Sequence, residues 1–210
     1  MNFNILLKKV LLKIPIINNY INFKRSVTNT VTLKQYIDFK FRKNKRIYWP
    51  LHPTSEVTHA DNIFVGINTN PGTRPGCYLQ GNGGIYIGNY CHFASNIGII
   101  SANHDPYDQS KHINKAVHLD NYCWIGQNAM IMPGVKLGPR TIVGAGAVVT
   151  RSFPDGYCII AGNPARLIKK LDPTRFKPTN FGVEYYGFIS KKDFPKFAKK
   201  NSIIIPEFDN

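Results

Sequence analysis

The feature that most constrains this chain is a repeat of six. Stepping by six from Ile87 reaches Phe93 and Ile99; stepping by six from Leu119 reaches Ile125, Ile131, Leu137, Val143 and Val149. Four residues after these anchors stand Cys91, Ile97, Cys123, Ala129, Val135, Thr141 and Ala147, all small or β-branched. Glycine follows the anchor at 88, 126, 138 and 144. A helix repeats every 3.6 residues and a strand every two, so neither gives this period. Six residues suit a short strand plus a tight turn, and three such units close one triangular coil. A coil can bury its anchors only against the coils above and below, so stacking makes the core.

The pattern breaks once. Leu119 follows Ile99 by 20 positions, and the intervening Ser101-Ala-Asn-His-Asp-Pro-Tyr-Asp108 is polar. The turn pairs Pro133-Gly134 and Gly138-Pro139 sit between anchors, where turns are wanted. Upstream, residues 51–86 are rich in β-formers, Gly and Pro and read as earlier, irregular coils with a loop at Asn70-Pro-Gly-Thr-Arg-Pro-Gly76. Asn163-Pro-Ala-Arg-Leu-Ile-Lys-Lys-Leu171 predicts a short helix capped by Asn163, with Pro164 in its first turn. Residues 172–210 carry aromatics and lysines but no motif. The expected division is a basic, partly helical extension over 1–50, a coil over 51–162 with a loop at about 101–118, and a C-terminal helix and tail over 163–210.

Charge is distributed unevenly. The formal net charge is +15, but residues 51–165 hold six bases and six acids. Residues 1–50 hold eleven Lys or Arg against Asp38, and residues 166–210 hold ten bases against five acids. Basic ends suit phosphates, anionic polymers or membrane headgroups. In the first segment Phe3, Leu6, Leu7, Val10 and Ile14 share one helical face before Pro15 discourages continuation. That run is too short and too charged to span a membrane; it suits a helix packed on protein or lying on a membrane surface. Residues 31–46 read as helical at first and then strongly basic. Cys77, Cys91, Cys123 and Cys158 form no C-x-x-C pair and fit no zinc spacing, so they read as reduced, mostly buried thiols of a cytoplasmic protein.

Trp124-Ile-Gly-Gln-Asn-Ala-Met-Ile-Met-Pro-Gly-Val-Lys-Leu-Gly138, Val143-Gly-Ala-Gly-Ala-Val-Val-Thr150 and Ala161-Gly-Asn-Pro-Ala-Arg166 together resemble the hexapeptide-repeat acyltransferases. The nearest branch is that of the maltose, galactoside and xenobiotic acetyltransferases and polysaccharide O-acetyltransferases. The resemblance covers roughly residues 80–171. It implies an all-β fold, a left-handed parallel β-helix, assembled as a homotrimer with its active sites between neighbouring prisms. It implies acetyl-CoA as acyl donor, no metal, and a loop that leaves the prism after Ile99 carrying His104 as general base. An imidazole with an ordinary value near ~6.5 suits that task, and such help is worth roughly 10²–10⁴ in rate. By the same resemblance Asn82 and Trp124 contact substrate, and Gln127, Ala145, Thr150, Arg166 and Lys169 contact coenzyme A; Asp105, in the polar turn beside His104, reads as a substrate contact, an orienter of His104 or a turn former. Relatives often carry arginine where this chain has Lys169.

The implied reaction is direct transfer of an acetyl group to a sugar hydroxyl of a polysaccharide precursor or glycolipid, in the cytoplasm or at the inner membrane face. Within the family, an antibiotic or an amino sugar remains an alternative acceptor. A zinc enzyme like the γ-class carbonic anhydrases needs three converging histidines, for which His92, His104, His112 and His118 are the candidates. A scaffold or nucleic-acid binder would use the basic ends, but no nucleic-acid motif accompanies them.

Overall fold

The computed structural model describes residues 14–26, 31–41, 46–178 and 182–206. The expected helix over Phe3–Ile14 therefore lies outside the described residues, apart from Ile14 itself. From residue 51 onward the chain winds through three parallel sheets in turn. The first face stacks Ile63–Val65, Ile85–Ile87, Val117–Leu119 and Lys136–Leu137. The second stacks His92–Phe93, Trp124–Ile125, Ile142–Val143 and Cys158–Ala161. The third stacks Glu56–Thr58, Tyr78–Gln80, Gly98–Ile100, Met130–Ile131 and Val148–Val149. The anchors pair with one another in register: Val65, Ile87, Leu119 and Leu137 run down one face and Leu79, Ile99, Ile131 and Val149 down another. Every anchor of the repeat is buried.

The turn explains why the period is six. Three residues past the anchor, Tyr90, Asn96, Tyr122, Asn128, Gly134, Arg140 and Gly146 all have positive φ, between 57° and 83°. One left-handed residue bends the chain sharply enough to start the next face. Glycine directly after the anchor answers a different demand. A Cβ on Gly126 would lie 2.7 Å from Val143 O and Ala145 N of the next coil, so the coils stack only if that position is bare.

The small residue four past the anchor also has a polar role on one side of the prism. There the column runs Thr69, Cys91, Cys123, Thr141. Thr69 Oγ1 donates to Gly88 O (2.9 Å), Cys91 Sγ to Asp120 O (3.1 Å), Cys123 Sγ to Gly138 O (3.4 Å) and Thr141 Oγ1 to Gly138 O (2.8 Å). Each supplies a buried turn carbonyl with a donor. All four cysteines are free and buried, and burial pushes the Cys91 thiol up, away from reactivity.

The expected helix at 163–171 is not formed. Cys158–Ala161 and Arg166–Lys170 make an antiparallel hairpin instead, and the expected boundary at 162 falls within its turn. The last strand of the second face would otherwise leave an unpaired edge. The added strand covers that edge with exposed Arg166, Lys169 and Lys170, and the backbone gains pairing that an isolated short helix would not.

Helix α1 is Pro15–Ser26, α2 is Leu33–Phe41 and α3 is Phe194–Lys200. Pro15 thus begins a helix, at the position where its missing N–H costs nothing. The residues flanking the coil pack together at its first turn. Phe188, in the turn of the Tyr185–Tyr186/Ile189–Ser190 hairpin, meets Phe23 (5.1 Å between ring centroids) and Phe39 (4.6 Å). Tyr48 fixes this cap to the prism: its hydroxyl accepts from Val65 N (2.7 Å) and donates to Val65 O (2.9 Å).

Candidate active site

The break in the repeat is an antiparallel hairpin, Ala102–His104 with His112–Asn114, projecting from the edge between the third and first faces. One coil below, Met132-Pro133-Gly134-Val135 closes the same edge. The hairpin root is tied by Ser101. This buried side chain donates to Gln80 O (2.6 Å) and accepts from Gly83 N (2.9 Å). Ala102 N donates to Gln80 Oε1 (3.0 Å), and Lys115 N donates to Ser101 O (2.8 Å). A Cβ on Gly83 would collide with Ser101 O, so a bare residue is required there. Neither Ser101 nor Gln80 shows in the repeat, because each acts through a pairing between segments distant in sequence.

His104 is exposed on this hairpin. Its Nδ1 lies 2.8 Å from Gln109 O. A carbonyl only accepts, so Nδ1 carries the hydrogen, and in that tautomer the lone pair lies on Nε2. The cross-strand partner is His112, with ring centroids 4.4 Å apart. The acidic residues of the tip serve the turn. Asp105 Oδ1 accepts from Tyr107 N (2.8 Å) and Asp108 N (3.2 Å). Asp108 accepts from Ser110 Oγ (2.6 Å) and pairs with Lys111 Nζ (2.9 Å). Ser110, then Lys111, hold the Asp108 carboxyl below the usual carboxylate range. The ring of His104 is thus oriented by a backbone carbonyl and an imidazole. Gln109 carries no sequence signal for that role, since it acts through its main chain.

The topology sorts the expected site residues into two groups. Asn82 lies in the turn from Gln80 to Ile85 and Thr150 directly follows Val149, so both share the hairpin's edge with His104 and Asp105. Trp124 projects from the second face, 55% exposed, in register with His92 above and Ile142 below. Lys169 pairs with Ile159, one step further along that face. Gln127 and Ala145 occupy successive turns of the edge between the second and third faces, where Gly146 N donates to Gln127 O (2.7 Å). Arg166 pairs with Ala161, and the methyl of Ala161 lies 2.9 Å from where a Cβ on Gly144 would be. So Gln127, Ala145 and Arg166 descend one edge, and His104 stands on another, a sheet's width away. The candidate zinc histidines are dispersed likewise: His118 on the first face, His92 on the second, His104 and His112 on the hairpin. Burial, then Arg140, holds His92 below the usual imidazole value; burial, then Lys136, does so for His118.

The edge with Gln127 and Ala145 has the form an amide-rich chain would need. A Cβ on Gly146 would meet nothing within 4 Å, and Ala145 is exposed and small, so backbone there is open to approach. Exposed Arg166 at the end of that edge and exposed Lys169 on the adjoining second face suit phosphates.

Residues 116–151 match the family model of the bacterial transferase hexapeptide (six repeats). The galactoside O-acetyltransferase of Lactococcus lactis subsp. lactis is 30% identical over 102 residues, 47% of this chain and 49% of that relative. The chain spans between about half and two thirds of the length of the curated relatives it matches. A galactoside acetyltransferase solved in complex with coenzyme A has a TM-score of 0.57 at 19% identity, over 77% of this chain and 88% of that one. A hexapeptide-repeat acetyltransferase of Vibrio cholerae solved with acetyl coenzyme A gives 0.54 at 18%, over 73% and 88%. At these identities the two structures share the fold.

Proposed function

We propose that this chain, whose residues 116–151 match the bacterial transferase hexapeptide, works as a hexapeptide-repeat transferase and transfers an acetyl group from acetyl-CoA to a hydroxyl of a saccharide. The observation that carries the proposal is the state of His104: exposed, on a hairpin ejected from the coil, with Nδ1 tied to Gln109 O so that Nε2 is free to take a proton. The donor, when bound, supplies an activated acyl carbonyl and a thiol as leaving group. His104 Nε2 removes the proton of the attacking hydroxyl, and a nearby N–H or the Asn82 amide stabilises the negative charge that develops on oxygen. Ala145, Gln127 and Thr150 hold the pantetheine arm, and Arg166 and Lys169 the phosphates. Trp124 offers an aromatic wall for the acyl end, and the free oxygen of Asp105 faces the acceptor.

One chain does not bring these groups to a single cleft. We read the assembly as a homotrimer of left-handed prisms, in which the hairpin edge of one copy meets the Gln127–Ala145 edge of the next. Heterologous contact of that kind closes a ring. Tyr107, 98% exposed at the hairpin tip, fits a side chain that a neighbour covers. The acceptor class follows the galactoside O-acetyltransferase relative, and a polymer or lipid-linked saccharide at the inner membrane face suits the basic N-terminal segment.

The test is thiol release from acetyl-CoA over a panel of free sugars and glycans, with His104→Ala beside wild type. Acceptor-dependent release that the variant lacks supports the reading; undiminished turnover in the variant overturns it. Mixing His104→Ala chains with Gln127→Glu chains tests the shared site: recovery of activity in mixed oligomers is expected, and its absence would place both groups in one copy's cleft.

A further inference from the structure

Basic helices from the two ends of the sequence, α1 and α2 from one and α3 from the other, meet at one place in the structure. α1, α2 and α3, with the Tyr185–Ser190 hairpin, form a single aromatic cap on the first coil: Phe194 stacks on Tyr186 (3.8 Å) and tilts against Tyr48 (5.4 Å), while Tyr185 meets Phe23 (5.8 Å). The described residues of this cap bring bases from both ends of the sequence to one end of a prism whose coil, residues 51–165, holds six bases and six acids. Lys24, Arg25 and Lys34 on the N-terminal helices and Lys196, Lys199 and Lys200 on α3 are exposed. Two acids beside α3 are engaged locally: Glu184 with Lys191 (2.8 Å) and the Tyr90 hydroxyl (2.7 Å), Asp193 with Ser190 Oγ (2.6 Å).

The same cap exposes large apolar side chains. Phe41 is 78% and Ile204 76% exposed, and Ile14, Leu33 and Ile205 are also open to solvent. We propose that this cap is a docking surface for an anionic bilayer, with the lysines and arginines against lipid headgroups and Phe41, Ile204 and Ile205 entering the interface. Basic side chains next to exposed apolar ones are the chemistry of interfacial binding. A soluble polyanion would be met by charge alone and would leave Phe41 and Ile204 unused. Among the described residues no helix is long and apolar enough to cross a membrane, so the contact is peripheral. In any ring with one symmetry axis all caps lie at the same height, which multiplies a weak contact. The surface involves α3 and Ile204–Ile205 as much as α1 and α2, a pairing only the fold reveals.

The test is co-sedimentation of the full chain with vesicles of neutral phosphatidylcholine or of phosphatidylcholine with about 30% phosphatidylglycerol, at near-physiological salt. Binding to the anionic vesicles alone is expected. Lys196→Glu/Lys199→Glu/Lys200→Glu should lower the partition on the order of 100-fold. Arg151→Glu, at the other end of the coil, should leave it within about twofold. Phe41→Ser/Ile204→Ser should remove the binding that survives high salt. All these side chains are exposed, and circular dichroism checks that each variant folds. Absence of binding, equal binding to neutral vesicles, or retention on heparin with indifference to vesicles would overturn the proposal. Neither acetyl-CoA nor acceptor enters the measurement, so it is decided separately from the catalytic reading.

Discussion

The coil over 119–150 and the hairpin over 101–116 are neighbours built on opposite principles. In the coil each anchor is buried and stacked on its counterparts, and backbone bonds run from turn to turn. In the hairpin Ala102 is the one strand residue that is buried, and the shape is held by side chains bonding to backbone. The coil derives its stability from apolar area, roughly 25 cal/mol per Å². The hairpin gains little from burial and in exchange keeps an imidazole in solvent with its tautomer fixed. A repeat can encode the first; the second needs local polar bonds that have no period.

That contrast is open to attack, beginning with the largest effect. His104→Ala should lower turnover by about 10²–10⁴. Its unfolding midpoint should match wild type, since an exposed change rarely exceeds about 0.5 kcal/mol; a large loss of stability would mean that the hairpin supports the coil. Ile131→Ala should do the reverse. Emptying a fully buried anchor between Ile99 and Val149 should cost about 2–5 kcal/mol in urea unfolding. Ile113→Ala, on the hairpin, should cost less than about 0.5 kcal/mol. Ser101→Ala tests the joint between the regions. Removing a buried hydroxyl with two partners should cost about 1–3 kcal/mol and should raise proteolysis within 101–116 before the coil opens.

The smallest effect concerns acid. His92 and His118 are held below their ordinary value of 6.5 in the folded chain, so the unfolded chain takes up protons first. Their contribution is full above that value and is lost as pH falls through the folded one. Thermal midpoints should therefore decline from about pH 7 toward pH 5. His92→Gln/His118→Gln should flatten the decline, and an unchanged slope would assign it to other groups.

The prism was legible because its cause is periodic. The anchors, the small residues four further on and the glycines after them are each required at fixed spacing by stacking. The place of the ejected loop was legible for the same reason, as the one interval of 20 positions. The helix expected over 163–171 is instead the second strand of a hairpin. Asn163-Pro164 is good helix-start chemistry locally, but the open edge of the second face offers pairing that local propensity does not register. His104 was singled out by resemblance; Gln109 and Ser101 were not, because one works through its carbonyl and the other through a neighbouring coil.

By itself, then, the sequence determined a three-sided coil with one loop ejected after Ile99, since steric fit between identical turns leaves a six-residue apolar period no other use. Tertiary structure alone decided that Gln127, Ala145 and Arg166 share one edge while His104 stands on another. It also decided that α1 and α2 share one cap with α3. Both are relations between residues far apart in the chain, set by which surfaces remain to be buried once the coils have stacked.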